Sequence, residues 1–184
     1  MAAALILLAD GFEEIEAVSI IDILRRGGVE ADSAYIGDSE IVTGANGISV
    51  KADISLKVAM LDDYDMVVLP GGWGGTNALA ESPLAQTVIK KFAQDSKWVA
   101  AICAAPYALH AAGVLSKRYT CYPSVEEQIR PEDRVSDQKV VIDGKVITSQ
   151  GPGTAMCFGL EIVRQLVGED SYEMVKGGTL STFC

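Results

Sequence analysis

The sequence is poor in histidine, in basic residues and in long apolar runs, and each shortage excludes a class of protein. His110 is the only histidine among 184 residues and no two cysteines form a C-x-x-C pair, so we expect no metal site. Lysine and arginine number 15 against 25 acidic residues, a net charge of −10, which argues against binding to nucleic acid or to an anionic membrane. No apolar run reaches the roughly 18 residues of a membrane-spanning helix.

Targeting and nucleotide-binding motifs are absent as well. The opening stretch "AAALILLA" is short and has no basic flank, so it predicts a first strand and not a secretion signal. No lysine follows the glycine-rich "GGWGG", which argues against a phosphate-binding loop. We therefore expect a cytoplasmic protein with free thiols in a reducing compartment, at Cys103, Cys121, Cys157 and Cys184.

What the chain does contain is an alternation of apolar strands and amphipathic helices. Residues 4–9 form a continuous apolar run, as expected for a strand buried on both faces. A helix over 13–28 is indicated by apolar residues at helical spacing: Ile15, Val18, Ile21 and Leu24. Further strands are predicted in 30–37, 65–72 and 119–123, strand pairs in 40–53 and 139–150, and helices over 76–92 and 151–168. This alternation predicts one α/β domain, residues 1–184, with a mostly parallel sheet and helices on both faces.

Three loops marked by glycine or acidic residues follow buried strands: "DGFEEIE", "LPGGWGG" and "AICAAP". Because sites in open parallel sheets gather at the carboxyl ends of the strands, we expect these loops to converge. Cys103 lies where the third strand turns into a helix, as in a nucleophile elbow, and free N–H groups there favour the thiolate. The N–H groups of Gly72 and Ala104 would hold an oxyanion, and Gly71 would allow close backbone approach. A buried cysteine is also a common core residue, which is the competing interpretation.

The motifs "LADGFEEIEA", "VVLPGG", "AAICAAP" and "TSQGPGT", in this order, resemble the DJ-1/ThiJ/PfpI superfamily, in particular its DJ-1-like branch. The "TCYP" of residues 120–123 is similar to that loop in bacterial members. The resemblance covers nearly the whole chain and implies a flavodoxin-like three-layer sandwich, a homodimer and no cofactor. It also implies that Cys103 is the reactive cysteine and Glu16 its acidic partner. From the residues alone, Glu13, Glu14 and Glu16 are equivalent, because acidic side chains in a first helical turn also stabilise the helix dipole.

Several positions depart from the pattern of the superfamily. Peptidase-like relatives carry a histidine directly after the nucleophile, whereas this chain has Ala104, which argues against proteolysis. His110 lies seven positions beyond Cys103 on the predicted helix, about 10 Å away, too far to replace that histidine. Tyr122 occupies the place of a histidine found in some relatives, and we expect its hydroxyl group to bind a ligand. Asn46 aligns with an arginine of the relatives, so this chain lacks that charge near an oxidised sulfur.

Two functions from different classes fit these residues and remain open on the sequence. In the first, the chain is a glyoxalase III or deglycase type of enzyme. Cys103 attacks a small 2-oxoaldehyde such as methylglyoxal, or a glycated protein, and Glu16 moves protons to give lactate. In the second, it is an oxidative-stress sensor or chaperone whose Cys103 is oxidised. Cys121 is expected to be a bystander, with a resolving thiol as the alternative.

Overall fold

A seven-stranded sheet forms the centre of the molecule, and the computed structural model describes all residues from Met1 to Cys184. The strands of the protein are β1 (Ala3–Leu8), β2 (Glu30–Tyr35), β3 (Ile41–Thr43), β4 (Ser49–Lys51), β5 (Ile54–Ser55), β6 (Met66–Leu69), β7 (Trp98–Ile102), β8 (Val140–Asp143) and β9 (Val146–Ser149). The central sheet has the order β5-β2-β1-β6-β7-β9-β8, and only its last pair is antiparallel. Strands β3 and β4 form a separate antiparallel hairpin, as the sequence predicts.

Helices cover both faces of this sheet. They are α1 (Glu14–Arg26), α2 (Trp73–Glu81), α3 (Pro83–Gln94), α4 (Pro106–Ala111), α5 (Ala155–Leu166) and α6 (Glu169–Gly178). Along β1, Leu5 and Leu7 enter the core shared with α2, α3 and α4, whereas Ile6 and Leu8 enter the core shared with α1, α5 and α6. Because successive side chains alternate between two buried faces, β1 is apolar throughout. The predicted three-layer α/β sandwich is therefore confirmed. None of the helices combines the length and apolarity needed to span a membrane.

The single helix predicted over residues 76–92 is wrong, because the structure has two helices in this region. Helix α2 ends at Glu81, and α3 begins at Pro83. The Ser82 side chain accepts a hydrogen bond from the N–H of Ala85 at 3.2 Å and so caps the second helix. Proline at the first position of a helix is compatible with this start, since its missing N–H has no helical partner there.

The buried face of α1 also differs from the apolar stripe seen in the sequence. Ile15 and Val18 are 57% and 51% exposed. The helix packs on the sheet through a neighbouring stripe instead, with Ala17, Ile20 and Ile23 buried. The helical period is correct, but the period by itself does not determine which of two adjacent stripes faces the core.

Two elements near the end of the chain were not predicted correctly. Residues 119–123 do not form a strand, and only Tyr119 makes an isolated bridge, to Arg134. The segment contacts β9 through a side chain and not through strand pairing, since the N–H of Thr120 donates to Thr148 Oγ1 at 2.9 Å. Helix α6, whose Tyr172 and Val175 are buried against the rest of the chain, was not predicted from the sequence.

The prediction of four free thiols is wrong for two of them. Cys157, on α5, and Cys184, the last residue, form a disulfide across 27 positions of sequence. Cys103 and Cys121 are free and buried. A cysteine count without spacing motifs does not reveal pairing, which depends on which chain segments meet in space. The thiols therefore no longer support the inference of a reducing compartment.

Candidate active site

The predicted convergence of loops occurs at the carboxyl edge of the sheet. Strands β1, β6 and β7 are adjacent and parallel, so the loops that follow them leave from one side. The N–H of Glu13 donates to the carbonyl of Gly71 at 2.9 Å and joins the first loop to the second. The N–H of Cys103 donates to the carbonyl of Ser149 at 3.0 Å and joins the third loop to the end of β9. Four strands therefore contribute to one site.

Cys103 has a backbone conformation that residues other than glycine rarely adopt, with φ of 64°. Two hydrogen bonds hold it there. Its N–H donates to the carbonyl of Ser149, and its own carbonyl accepts from the N–H of Tyr122 at 2.9 Å. Helix α4 begins three residues later, at Pro106. A left-handed residue of this kind costs about 1–3 kcal/mol, and here it forms the sharp strand-to-helix turn of a nucleophile elbow.

Gly71 is the backbone link between Cys103 and Glu16. Its N–H donates to Glu16 Oε2 at 2.7 Å. A Cβ atom on Gly71 would lie 2.6 Å from Cys103 Cβ and 2.7 Å from Glu16 Oε2, closer than real Cβ atoms come to such neighbours. Gly72 follows with φ of 85°, and a Cβ there would collide with the carbonyl of Gly11. Gly71 therefore allows the carboxyl group and the sulfur to approach each other, and Gly72 allows the loop after β1 to pack against this turn.

Glu16 is buried completely beside this cysteine. Its Oε2 accepts from Gly71, whereas its Oε1 has no hydrogen-bond partner. Burial raises the pKa of Glu16 to about 7, although the Gly71 N–H and the Cys103 thiol act to lower it. A carboxyl group with this pKa exchanges its proton near neutral pH, which is the property of an effective general acid or base.

The pKa of the Cys103 thiol moves opposite to the direction that the sequence predicts. Burial and the negative charge of Glu16 raise this pKa to about 12, and the N–H groups of Gly72 and Ala104 lower it only in part. The two N–H groups predicted from the sequence do contact the sulfur, but their effect on the thiol pKa is smaller than the combined effect of burial and the Glu16 charge. Near neutral pH the Cys103 thiol is therefore protonated, and Glu16 is the member of the pair that exchanges a proton.

The acidic residues at the start of α1, equivalent in the sequence, have different partners. Glu13 caps the helix, since its carboxylate accepts from the N–H of Glu16 at 2.8 Å. Glu14 is 5% exposed and binds the hairpin, where it accepts from the N–H and Nδ2 of Asn46 at 2.6 and 2.9 Å and from the N–H of Ile48 at 3.3 Å. Glu16 is the member of the three that lies against the candidate nucleophile.

A cleft of about 240 Å³ opens at Cys103, and 9% of the surface of this residue is exposed. Its walls are formed by Glu13, Gly72, Trp73, Ala104, Tyr122, Val125 and Pro152. Gly72, Ala104 and Tyr122 are site residues predicted from the sequence, whereas Trp73, Val125 and Pro152 were not predicted. Trp73 carried a signal, because it interrupts the glycine turn "GGWGG" on the predicted edge. Val125 and Pro152 reach the cleft on loops whose positions only the folded chain fixes.

His110 and Cys121 are not among the residues of the cleft. His110 lies in the last turn of α4, as the sequence predicts. Cys121 belongs to the core on the α2–α4 face, whereas Cys103 belongs to the core on the opposite face. The Cys121 thiol contacts Glu126 Oε2 at 3.7 Å. The role of Cys121 as a bystander remains a prediction. No group of three or more His, Cys, Asp or Glu side chains has an arrangement that holds a metal ion.

Comparison with known proteins gives full-length similarities. A model of the DJ-1/PfpI family matches residues 2–165. The glutathione-independent glyoxalase DJ-1 of Schizosaccharomyces pombe is 35% identical over 184 residues, which cover 95% of this chain and 96% of that protein. The crystal structure of Drosophila melanogaster DJ-1beta is 40% identical, with a TM-score of 0.93 over 97% of each chain. Oxidised DJ-1 of Toxoplasma gondii is 33% identical, with a TM-score of 0.93 over 98% of each chain.

Proposed function

The chain belongs to the DJ-1/PfpI family, and from this premise we propose that it is a cofactor-independent enzyme that converts 2-oxoaldehydes to 2-hydroxy acids. One observation carries the proposal. The buried carboxyl group of Glu16, with a pKa of about 7, lies beside Cys103 at the floor of an open cleft. The name of the fission yeast relative, a glutathione-independent glyoxalase, supports the same reaction class.

In the first step, Cys103 Sγ forms a bond to the aldehyde carbon of the substrate. The thiol proton passes to the Glu16 carboxylate, and the π electrons of the carbonyl move to its oxygen. The N–H groups of Gly72 and Ala104, which lower the pKa of the Cys103 thiol in the free enzyme, would stabilise this oxyanion. Glu16 then returns this proton to the oxygen, which gives the neutral hemithioacetal and restores the Glu16 carboxylate.

In the second step, Glu16 moves a proton between the two substrate carbons. Its carboxylate takes the proton from the former aldehyde carbon and returns one to the adjacent ketone carbon through an enediol. The first carbon is thereby oxidised and the second reduced, so no external oxidant or cofactor is required. Water then hydrolyses the resulting thioester, which releases a 2-hydroxy acid and restores the thiol. Methylglyoxal gives lactate by this route, and a glycated protein amine would form the same first adduct.

Lactate production from methylglyoxal tests the proposal. We expect multiple turnovers in the wild type, and losses of about 100-fold or more in Cys103→Ser and Glu16→Gln, since each removes a group used in the reaction. Cys121→Ser is the matched control, because Cys121 is the other free, buried thiol and lies outside the cleft. Absence of turnover in a folded wild-type protein, or full activity in Cys103→Ser, would overturn the proposal.

A redox sensor with the same thiol is the second candidate. The protonated form of Glu16 would donate a hydrogen bond to an oxidised Cys103, and the structure of the Toxoplasma gondii relative is of an oxidised form. Asn46, at the position of the arginine in relatives, hydrogen-bonds Glu14 and supplies no charge. Selective, single-event oxidation of Cys103 by peroxide, without turnover of aldehydes, would favour this sensor, with or without chaperone action.

We also propose that the protein is a homodimer. Apolar side chains are exposed on α1 (Ile15 and Val18) and on the neighbouring hairpin (Ile41 and Ile48). The Glu14–Asn46 hydrogen bonds join the hairpin to α1, so these four side chains lie on connected elements. Several exposed apolar side chains on neighbouring elements are typical of a protein interface. The cytoplasmic location remains a prediction.

A further inference from the structure

The walls of the cleft suggest a narrower class of substrate than the reaction requires. Two large aromatic side chains, Trp73 and Tyr122, are 41% and 49% exposed although they stand beside the candidate nucleophile. Val125 and Pro152 extend the apolar wall. Exposed aromatic surface around a concave site is typical of a place where an apolar ligand group is buried.

Both aromatic rings are held in place before any ligand binds. The Trp73 ring packs edge-on against Tyr107 of α4, with 6.0 Å between centroids and 63° between planes. Tyr122 is fixed at its backbone, where its N–H donates to Cys103, and its ring lies over Gly151, where a Cβ would come within 3.1 Å of it. Rigid walls lower the entropy that binding must overcome.

Charge in the cleft gives a second restriction. Among the residues that line it, Glu13 is acidic and none is basic. The whole chain carries a net charge of −10. A substrate with its own carboxylate would meet an acidic group without a compensating cation, and this arrangement disfavours binding.

The size of the cleft agrees with an added apolar group. Clefts that hold drug-sized ligands measure about 300–1,000 Å³. At about 240 Å³ this cleft is slightly smaller than that range, but it is larger than a three-carbon aldehyde needs. A single aromatic ring attached to the ketone carbon would occupy this space between Trp73 and Tyr122.

We infer that the preferred substrates are neutral 2-oxoaldehydes with an aryl or similarly bulky apolar substituent, which binds between Trp73 and Tyr122. This inference rests on the proposed function and defines its substrate class. The aldehyde carbon would lie over Cys103 Sγ, and the substituent would point toward the two rings. Methylglyoxal would react by the same steps but with a lower kcat/KM.

The test compares kcat/KM for phenylglyoxal and methylglyoxal. We expect the wild type to prefer phenylglyoxal about tenfold or more, and Trp73→Ala and Tyr122→Ala to lower kcat/KM for phenylglyoxal about tenfold more than kcat/KM for methylglyoxal, so that most of the preference is lost. Tyr122→Phe keeps the ring and should keep the preference. Phe183→Ala is the matched control, because Phe183 is 53% exposed and lies outside the cleft. Equal losses for both aldehydes, or no preference in the wild type, would overturn the inference.

A binding measurement separates this inference from the reaction itself. Acetophenone and acetone match the two aldehydes in shape but are not expected to turn over. Binding is measured with Cys103→Ser, which lacks the nucleophile. In a Trp98→Phe background, Trp73 is the remaining tryptophan, so its fluorescence reports binding. Acetophenone should bind about tenfold or more tightly than acetone, even if no aldehyde is turned over. Equal affinity for the two ketones would overturn the substrate preference and leave the proposed chemistry standing.

Discussion

Glu13, Glu14 and Glu16 have the same chemistry within four positions, and their surroundings give them different tasks. Glu13 binds the backbone of its own helix, and Glu14 binds the hairpin. Glu16 is enclosed, with one oxygen on Gly71 and the other without a partner. An unpartnered buried carboxyl oxygen is unfavourable for stability, and this cost is acceptable where the group has a chemical role.

Glu16 should make the stability of the protein depend on pH. Its pKa is about 7 in the folded protein and 4.5 ordinarily, so the unfolded chain releases this proton first as pH rises. The contribution of Glu16 to the free energy of unfolding should therefore be fully present below pH 4.5 and decrease by about 3 kcal/mol as the pH rises through 7. Glu16→Gln has no proton to release and should lack this decline, so the variant gains stability relative to the wild type at high pH.

Urea denaturation at pH 4.5 and pH 8 measures this difference. Glu127→Gln, at an exposed position of the loop after Tyr122, is the matched control and should follow the wild type at both values. If Glu16→Gln and the wild type differ by the same amount at pH 4.5 and pH 8, then Glu16 has an ordinary pKa in the folded protein. The proposed role of Glu16 as a proton carrier at neutral pH would then lose its main support.

At the scale of the elements, the turn between β6 and α2 carries the strictest geometry of the site. Gly71 contacts Cys103 and Glu16 at once, and Gly72 lies against the loop that leaves β1. Trp73 then begins α2 and becomes a wall of the cleft. Three consecutive residues therefore link the nucleophile, its acidic partner and the substrate cleft, whereas the rest of α2 packs on the core.

Gly71→Ala should separate Cys103 from Glu16. The new methyl group would lie 2.6 Å from Cys103 Cβ and 2.7 Å from Glu16 Oε2, so the turn must shift. We expect kcat/KM for methylglyoxal to fall about 100-fold, since misplacement of reacting groups by about 1 Å has this effect, and stability to fall by about 1–3 kcal/mol. Gly37→Ala is the matched control, because a Cβ at Gly37 meets no atom within 4 Å. Normal activity in Gly71→Ala would show that the close approach is not required.

At the scale of the whole molecule, α1 serves the site and the surface at the same time. Its inner face carries Glu16 and packs against α5, while Ile15 and Val18 are exposed on its outer face. A partner subunit on this face would bury those side chains within one helical turn of Glu16. The proposed homodimer would therefore also stabilise the start of the helix that carries the acid–base residue.

Val18→Asp should disrupt this homodimer. The substitution places a negative charge near the exposed side chains of Ile15, Ile41 and Ile48. This charge would have to lose its hydrating water when the interface forms, which is unfavourable. Light scattering after size exclusion should give about twice the chain mass of 19.5 kDa for the wild type and the monomer mass for the variant. Val58→Asp is the matched control, because Val58 is 66% exposed and lies outside α1 and the hairpin. A monomeric wild type would contradict the proposal.

The sequence by itself determined the order of most elements and the edge of the sheet where the site lies. Apolar runs such as residues 4–9 predict buried strands, because both faces of a parallel sheet are covered. The glycine turn at Gly71 and Gly72 and the joint at Cys103 follow strands that proved adjacent. Patterns of this kind involve residues that are close together in the chain, so they can be recognised without knowledge of the fold. The assignment of residues 1–184 to a single domain also came from such patterns and remains a prediction.

Tertiary structure alone decided which side chains meet. It placed Glu16, to which the family resemblance pointed but the local pattern did not, beside Cys103, paired Cys157 with Cys184, and brought Val125 and Pro152 to the cleft. It also reversed the expected direction of the Cys103 pKa, because burial and a neighbouring charge outweigh two N–H groups. Burial, pairing and pKa depend on contacts between segments far apart in the chain, and no local pattern encodes those contacts.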